Sequence, residues 1–394
     1  MIAACPVCEQ SAATLVWETG AAPILQLLAA GEMARPEHFG RLTIVRCGAC
    51  GHLYNQAFNE ALSERMYGGD VLSNVPVHAS MSRGLEEIAN WIGVAAVAGK
   101  RVLEVGGGSG HLARILARTA AEVTVFEPSR GLRTESLPEQ NVTVTRAMFS
   151  SARAGEPADL IMCRQVLEHV ADPLALLREI RAALQADGGL YLEVPRSEYI
   201  EANASLFDLH YAHVQYFHEA HVLALAARAG FTLERRWHLK QGHDMGFLLR
   251  AAPAQAAHGI PAAVIAPALA ERFDARRRDG RRVLAGLSGR IGLYGATWQG
   301  LSFLTTFDDD RAFAAVVDDN AGYDGFVLFS RRQRVPVVRP SLSELAELDA
   351  IIITAYLHEA AIRDTLQRIG YAGRLIRVEP ACEMIAAPGF AAAR

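Results

Sequence analysis

A short apolar strand that runs into a glycine-rich turn is the feature of this sequence that most directly indicates chemistry. Residues 102–105 lead into Gly106, Gly108 and Gly110, and the apolar positions that follow recur with helical spacing. Glycines in such a turn let the main chain approach a ligand, and the N–H groups that follow can bind a nucleotide-like molecule. The turn alone does not distinguish a dinucleotide from S-adenosylmethionine.

Three further segments follow the turn in the order typical of a nucleotide-binding βαβ unit. A predicted strand at 123–126 ends in Glu127, whose carboxylate can accept both hydroxyls of a ribose. Residues 158–163 predict a third strand, which leads into Gln165, and residues 189–195 predict a fourth. Together the segments favour S-adenosylmethionine. The alternative is a structural crossover that binds nothing.

As a set, these segments resemble the class I S-adenosylmethionine-dependent methyltransferases over residues 85–250. The matching pieces are LEVGGGSGHLARIL, FEPS, DLIMCRQVLEHVADPLALLREI and GGLYLEVP. The resemblance implies that Glu127 binds the ribose and that Gln165 lies beside the ligand. It also implies that the methionine end is lined by Glu104, Gly106, Gly108 and Gly110. The loop after residue 145 lacks the acid that such enzymes often place at the adenine, and we expect Met148 and Phe149 to stack on the base there.

Two Cys-x-x-Cys pairs near the N-terminus predict a structural Zn²⁺ site. Cys5 and Cys8 form the first pair, and Cys47 and Cys50 form the second. Four thiolates can surround one Zn²⁺ tetrahedrally and leave no open coordination position, which favours a structural role. Because no apolar signal peptide precedes Cys5, we expect thiols in a cytoplasmic protein rather than disulfides. The segment also lacks the basic flanks of a nucleic-acid-binding ribbon.

The strand–turn–helix pattern begins again near residue 289. Predicted strands at 290–294, 313–317 and 350–354 indicate a second Rossmann-like α/β unit, and Asp318 follows the second of them. Thr297 occupies the central position of its turn, where a β-branched side chain would obstruct a pyrophosphate. We therefore favour a structural role for this unit over dinucleotide binding.

The predicted fold is α/β with an added zinc module, in four consecutive segments. These are an N-terminal zinc-binding module at 1–75, a methyltransferase domain at 76–250, a linker and helix at 251–288, and a C-terminal Rossmann-like domain at 289–394. The chain has 394 residues, of which 51% are hydrophobic and 21% charged, which is enough for sizeable cores. The net charge of −4 disfavours a nucleic-acid partner. No apolar run approaches the ~20 residues that a bilayer requires, so we expect no membrane partner and a small-molecule acceptor.

The order of zinc knuckles, methyltransferase core and Rossmann-like C-terminal domain resembles the three-domain sugar C-methyltransferases that act on 4-keto deoxysugar nucleotides. Residues 207–217 and 241–245 stand where that family carries its signatures. The resemblance implies a nucleotide-sugar acceptor, which loses a proton beside its ketone so that the enolate carbon attacks the methyl sulfonium. Such a reaction needs a base, donors for the enolate oxygen and a pocket that excludes water.

The family's Tyr-His-Glu-His run reads HYAH at residues 210–213 here, so that Ala212 replaces the carboxylate. One interpretation is that His213 acts with His169, Tyr211 or Tyr216. Another is that the acceptor is an oxygen or nitrogen, which needs only a modest base. A third is a methyltransferase-like scaffold without activity, which would bind no S-adenosylmethionine.

Five histidines near the proposed cleft raise the question of a second metal site: His169, His210, His213, His218 and His221. Isolated histidines more often make hydrogen bonds than bind metal, and we favour that interpretation. His218 and His221 stand where a helix is predicted to begin, and we expect them at a surface turn.

Overall fold

The structure is a computed structural model that describes residues 1–72, 75–132, 137–255, 260, 268–307 and 311–385. These residues divide into two compact units. Unit 1 comprises Met1–Leu15, Ile44–Tyr199 and His213–Ile265, and unit 2 comprises Val16–Thr43, Ile200–Ala212 and Ala266–Arg394. The four consecutive segments predicted from the sequence stay a prediction, and residues 256–259 and 261–267 of the predicted linker and helix at 251–288 lie outside the described residues.

Strands and helices are numbered in chain order. The strands are β1 (Ala13–Pro23), β2 (Leu28–Ala29), β3 (Phe39–Cys47), β4 (Leu53–Asn55), β5 (Arg101–Val105), β6 (Glu122–Phe126), β7 (Val142–Thr145), β8 (Ala158–Arg164), β9 (Leu184–Pro195), β10 (Gln215–Tyr216), β11 (Phe231–Leu239), β12 (Asp244–Ala251), β13 (Ile291–Tyr294), β14 (Ala315–Val317), β15 (Phe326–Phe329), β16 (Arg334–Val338), β17 (Ala350–Ile353), β18 (Arg374–Arg377) and β19 (Glu383–Ile385). The helices are α1 (Ser63–Tyr67), α2 (Ala79–Ile92), α3 (Val94–Val97), α4 (His111–Ala117), α5 (Pro173–Ala182), α6 (Ser197–Asn203), α7 (Glu219–Ala229), α8 (Leu269–Ala285), α9 (Trp298–Thr306), α10 (Leu342–Leu345) and α11 (Glu359–Ile369).

A seven-stranded sheet forms the centre of unit 1, in the order β11-β12-β9-β8-β5-β6-β7. Strand β5 pairs in parallel with both β6 and β8, so the direction in which the chain adds strands reverses at β5. Ligands of open α/β sheets gather beyond the carboxyl ends of the strands at such a reversal. The strands predicted from the glycine motif and its downstream segments are confirmed as β5, β6, β8 and β9.

Helices cover both faces of this sheet because successive side chains of each strand point to opposite sides. On one face Val102 packs with Ile88 of α2 and Leu112 of α4. On the other face Leu103 packs in the cluster that holds Leu177 of α5 and the apolar side of α7. Two apolar cores therefore keep β5 rigid at the point where its carboxyl end meets the glycine turn.

Helix α5 illustrates how the local sequence sets an element's bounds. The side chain of Asp172 accepts a hydrogen bond from the backbone N–H of Ala175 at 2.9 Å, and Pro173 occupies the first helical position. The helix ends at Ala182, because Leu184 already belongs to β9.

The cysteine-rich segment of unit 1 contributes a small antiparallel pairing. Strand β4 pairs with β3 through Ile44 and Asn55 and with β10 through Tyr54 and Gln215. Tyr54 and three of the four motif cysteines are buried in the same apolar cluster as α7. This segment therefore packs on the core of the seven-stranded sheet in its own unit.

An eight-stranded sheet forms the centre of unit 2, in the order β19-β18-β17-β13-β14-β16-β15-β2. Strand β13 pairs in parallel with β14 and β17, as expected for the second α/β unit predicted from the sequence. Across the described ranges of both units, no helix is long and apolar enough to cross a membrane.

Candidate active site

The glycine turn after β5 uses a backbone conformation that side chains rarely adopt. The φ angles of Gly106, Gly108 and Gly110 are 69°, 54° and 73°. A Cβ atom at Gly106 would lie 2.5 Å from the side chain of Val166, which follows β8. The turn therefore packs against the loop after β8, and this contact requires glycine at position 106.

Glu127, at the end of β6, is bound to the glycine turn. Its two carboxyl oxygens accept hydrogen bonds from the backbone N–H groups of Gly108 at 2.7 Å and Ser129 at 2.9 Å. Burial raises the pKa of Glu127, and the two N–H groups act in the opposite direction. Each carboxylate oxygen can accept a further hydrogen bond, so this geometry suits two ribose hydroxyls.

Glu104 is a buried carboxyl beside the turn. Its Oε2 atom makes no hydrogen bond to any part of the chain that the structure describes. Burial raises the pKa of Glu104 to about 7, although the positive charge of Arg164 opposes the shift. A buried oxygen without a partner suits the ammonium group of a methionine-like ligand, so the residues at this end fit S-adenosylmethionine.

Gln165 lies at the carboxyl end of β8 in a strained conformation, with φ at 53°. Its side-chain amide donates to Oδ2 of Asp244 at 3.0 Å and to Oε1 of Glu193 at 3.4 Å. Arg164 donates two hydrogen bonds to the same Glu193, from Nε to Oε2 and from Nη2 to Oε1, each at 3.0 Å. The predicted cofactor residue Gln165 is therefore held by a buried polar network at the edge of the sheet.

Asp244 anchors that network; it lies in the segment 241–245 that resembles a family signature, but the sequence assigned it no role. It accepts contacts from Nζ of Lys240 and Nδ1 of His243, both at 2.6 Å. Burial alone would raise the pKa of Asp244, but Lys240 and His243 outweigh it and hold that pKa below its usual range. The resemblance of residues 241–245 to a family signature was the one sequence signal for Asp244, and its burial and its partners come from the structure.

The two residues expected at the adenine differ in their surroundings. The ring of Phe149 packs edge-on against Phe126 at the end of β6, with 5.1 Å between ring centres. Met148 is 45% exposed and remains accessible to a ligand. Their contact with a bound base stays a prediction.

A cluster of acid–base groups follows β8. Glu168, His169 and His213 each direct a potential ligand atom to one place, and those atoms lie within 4.8 Å of one another. The His169 and His213 rings have centres 5.1 Å apart, and the Tyr216 ring lies 6.1 Å from that of His213. We call Glu168, His169 and His213 the base cluster. Three of the four predicted catalytic residues thus lie at or beside it.

Glu168 is the member of the base cluster that sequence reasoning missed. It is 1% exposed, and neither of its carboxyl oxygens accepts a hydrogen bond from another described residue. Burial raises the pKa of Glu168 well above its usual range. The only signal in the sequence is its position immediately before His169.

Tyr211, the fourth predicted catalytic residue, is assigned to unit 2. Its ring occupies the space that a side chain at position 40 would need, so Gly40 allows the tyrosine to be buried there. In the same unit His210 stacks on Trp298, with 5.0 Å between ring centres. A catalytic role for Tyr211 stays a prediction.

The four motif cysteines lie together in unit 1. The Sγ atoms of Cys5 and Cys50 are 3.7 Å apart, and those of Cys8 and Cys47 are 3.4 Å apart. Sulfur atoms bound tetrahedrally to Zn²⁺ at about 2.3 Å lie about 3.8 Å from one another. A hydrogen bond from Cys50 lowers the pKa of Cys5 to about 5, whereas burial raises that of Cys8 to about 11. The four thiols fit one Zn²⁺ ion.

Buried histidines surround this cysteine cluster. A ring nitrogen of His221 lies 3.0 Å from the carbonyl oxygen of Cys50. A ring nitrogen of His52 lies 2.9 Å from the side-chain oxygen of Gln215. The expectation that His218 and His221 lie at a surface turn was wrong, because both are buried. The start of α7 packs beneath the cysteine segment, and this contact is invisible in the local sequence.

Comparison with known proteins identifies the central part of the chain. Residues 77–235 match a family model described as a methyltransferase domain. Over 140 residues the chain is 35% identical to a ubiquinone biosynthesis O-methyltransferase of Xanthomonas campestris, covering 34% of this chain and 56% of that protein. A protein of the same description from Actinobacillus pleuropneumoniae is 35% identical over 104 residues, covering 24% and 44%. The chain thus spans about half the length of the curated relatives it matches.

Among solved structures, a magnesium protoporphyrin IX methyltransferase of Synechocystis with bound S-adenosylhomocysteine is 17% identical. The match covers 43% of this chain and 83% of the Synechocystis chain, with a TM-score of 0.36. The family match, the sheet order and the geometry of the glycine turn together show that residues 77–235 form a class I S-adenosylmethionine-dependent methyltransferase domain.

Proposed function

We propose that the protein transfers a methyl group from S-adenosylmethionine to a small-molecule acceptor, with the base cluster removing the acceptor's proton. The observation that carries this proposal is the contact between Gly106 and Val166. Val166 lies two residues before Glu168, so the turn that binds the donor and the groups that move the proton are joined at one edge of the sheet. Ligands of such sheets bind at this edge.

The donor supplies a methyl group on a positively charged sulfur. Glu127 binds the ribose hydroxyls, Glu104 faces the methionine end, and the glycine turn admits the nucleoside close to the main chain. His213 accepts the proton that the acceptor loses, and Tyr216 and His169 lie close enough to orient its ring. Holding donor, acceptor and base in contact supplies much of the rate by proximity.

For the acceptor we favour carbon next to a ketone on a nucleotide-linked keto-deoxysugar. The order of the predicted domains along the chain supports this, because it resembles that of the sugar C-methyltransferases. The cysteine cluster and the second α/β sheet, which accompany the methyltransferase domain, support it as well. The base cluster also supports it, because removing a proton from carbon requires a stronger base than removing one from an activated hydroxyl.

Methylation of oxygen is the second candidate. The observation that favours it is that the relatives at 35% identity are described as O-methyltransferases. Those relatives match only the methyltransferase part, so they bear on the domain and not on the acceptor site of the whole chain.

Two acceptor probes separate the candidates. The protein is incubated with S-adenosylmethionine labelled with ¹³C in the methyl group, and with either dTDP-4-keto-6-deoxyglucose or 3,4-dihydroxybenzoate. The ¹³C chemical shift of the product distinguishes a C-methyl from an O-methyl group. Deuterium uptake by the keto sugar in D₂O without the donor gives a second measurement, because only enolate formation exchanges that proton. Methylation of the catechol alone, without exchange in the sugar, contradicts the carbon proposal.

Variants then test the base. We expect His213→Ala to reduce turnover by about 10²–10⁴-fold without changing donor affinity, which is the usual range for acid–base catalysis. The variant Ala212→Glu, which restores the carboxylate of the sugar family, should not be required for activity. Full activity in His213→Ala together with none in His169→Ala would assign the base to His169 instead.

Zn²⁺ bound by Cys5, Cys8, Cys47 and Cys50 completes the proposal, with a structural role. The spacing of the four sulfur atoms supports this assignment, and a site with four sulfur ligands offers no position for a substrate. We also propose that the protein acts in the cytoplasm on a small molecule, with neither nucleic acid nor membrane as a partner.

A further inference from the structure

Glu168 combines three properties that a purely structural carboxyl rarely has. It is buried in unit 1, its two oxygens accept no hydrogen bond from another described residue, and it lies beside two histidines. Leaving a buried carboxyl unpaired costs free energy, so an arrangement of this kind usually has a function. Oε1 of Glu168 lies 3.9 Å from Nε2 of His169.

The backbone holds Glu168 near His213 as well. The N–H group of Val214 donates to the carbonyl oxygen of Glu168 at 2.8 Å, which ties the loop after β8 to the segment that carries His213. Position 212 is alanine, so the adjacent segment supplies no carboxylate to these histidines. Within the base cluster, Glu168 is the one group that can supply it.

We infer that Glu168 is the positioning carboxyl of the base cluster, which orients the rings of His169 and His213 and balances the charge that forms when His213 accepts the acceptor's proton. The inference rests on the proposed function for its catalytic meaning. In the reaction the acceptor atom loses a proton to a ring nitrogen of His213 and keeps the electron pair. That pair forms the new bond to the methyl carbon, while the bond from methyl carbon to sulfur breaks and its electrons stay on sulfur.

The electrostatic surroundings of Glu168 disfavour its charged form, which a positively charged partner would stabilise. Burial raises the pKa of Glu168, Asp244 and Glu193 raise it further, and Lys240 opposes them. The base cluster also faces Tyr216 and Tyr67; the ring of Tyr216 lies 6.1 Å from that of His213, and the ring of Tyr67 lies 5.7 Å from that of His169. Burial raises the pKa of the neighbouring Cys163, and the charge of Glu168 raises it further. A carboxyl in such surroundings gains most by pairing with an imidazolium ion.

The test is a histidine titration that requires no acceptor. Protein labelled with ¹³C in the imidazole rings is followed by NMR from pH 5 to 9, with His169→Asn and His213→Asn used for assignment. A nearby carboxylate favours the protonated ring, so removing it lowers the ring's pKa. We expect Glu168→Gln to lower the titration midpoint of at least one of the two histidines by about one pH unit or more.

His111, assigned with His111→Asn, serves as the internal control, because burial and Arg114 lower its pKa and Glu168 does not contribute. Its midpoint should not change in Glu168→Gln. Glu379→Gln is the matched variant, since Glu379 is another buried carboxyl with an oxygen that lacks a described partner, and it belongs to unit 2. It should leave both histidine midpoints unchanged. Unchanged midpoints in Glu168→Gln would overturn the inference, whatever the acceptor proves to be.

Activity supplies the second measurement. With dTDP-4-keto-6-deoxyglucose, we expect Glu168→Gln to slow exchange of the proton beside the ketone by about 10²-fold and to shift the acidic limb of its pH profile. Affinity for S-adenosylmethionine, measured by calorimetry, should stay within twofold. If the wild-type protein does not bind S-adenosylmethionine, the proposed function is refuted, but the histidine titration can still be interpreted.

Two further results decide the remaining possibilities. If Glu168→Gln does not fold, Glu168→Asp keeps the charge on a shorter side chain and should lower the midpoint of His169 or His213 by a smaller amount, because the carboxylate lies farther from the rings. Wild-type midpoints in Glu168→Asp would then contradict the inference. Added Mn²⁺ alone should not broaden the His169 and His213 signals. Broadening that disappears in Glu168→Asp would make the cluster a cation site and overturn its role in proton transfer.

Discussion

The substitution Glu127→Gln tests the donor site most directly, because it replaces one oxygen atom by an amide nitrogen in a side chain of equal size. Glu127 accepts two backbone N–H groups, from Gly108 and Ser129, and a glutamine keeps only one acceptor oxygen. One N–H group therefore loses its partner and faces an amide that can only donate. A buried N–H group without an acceptor lowers the stability of the protein by about 1–3 kcal/mol.

The effect on donor binding follows from the same count. A charged acceptor for two hydroxyls is replaced by one neutral acceptor, and hydrogen bonds to charged groups contribute about 1.5–3 kcal/mol compared with about 1 kcal/mol for neutral ones. We expect S-adenosylmethionine to bind about 1.5–3 kcal/mol more weakly, which is roughly a 10- to 150-fold rise in Kd. Isothermal titration calorimetry with the donor and with S-adenosylhomocysteine measures this rise.

Unit 2 offers a matched control in Asp318. It also follows a parallel strand, it is 7% exposed as Glu127 is, and it accepts N–H groups of Ala296 at 2.8 Å and Asn320 at 2.9 Å. Asp318→Asn should therefore lower stability by a similar amount while donor affinity stays unchanged. Wild-type affinity in Glu127→Gln, or equal loss of affinity in Asp318→Asn, would refute the assignment of Glu127 to the ribose.

Three further outcomes are expected. Because burial raises the pKa of Glu104 to about 7, its carboxylate forms as the pH rises through that value, so donor affinity measured by calorimetry should increase from pH 6 to 8 and the increase should vanish in Glu104→Gln. Cys47→Ser should reduce bound Zn²⁺ from near one equivalent and lower the melting temperature, whereas Cys163→Ser, at a buried thiol outside the cluster, should keep the metal; a folded wild-type protein without Zn²⁺ would contradict the site. Gly110→Ala should destabilise the protein by more than Gly99→Ala in urea unfolding, since both have positive φ but only at position 110 would the new methyl group meet a side chain, at 2.6 Å; equal losses would show that the turn tolerates the contact.

Polar contacts connect the cysteine cluster to the loop of the base cluster within unit 1. His221 contacts the carbonyl of Cys50, and His52 contacts Gln215, whose amide donates to the carbonyl of Val170 at 2.9 Å. Val170 directly follows His169, so the cysteine segment supports the loop that carries the base cluster. This contact gives the proposed Zn²⁺ a structural reason to affect catalysis without touching a substrate.

Local sequence was sufficient for the features that depend on neighbouring residues. The strand, turn and helix around Gly106 follow from apolar periodicity and from the left-handed conformation that glycine accepts. The position of Glu127 follows from the end of a strand, and the two cysteine pairs follow from their spacing. In each case the groups that matter lie within a few residues of one another or at a position that parallel strands bring to the same edge.

Tertiary structure decided the features that depend on burial and on distant partners. Glu168 is adjacent to His169 in sequence, but its desolvation and its approach to His213 arise only when the loop after β8 packs on the segment before β10. His218 and His221 look like polar residues at a helix start, yet both are buried, and His221 contacts the carbonyl oxygen of Cys50. A side chain's hydrogen-bonding partners and its exposure are set by elements far along the chain, and no local pattern encodes which of them will cover it.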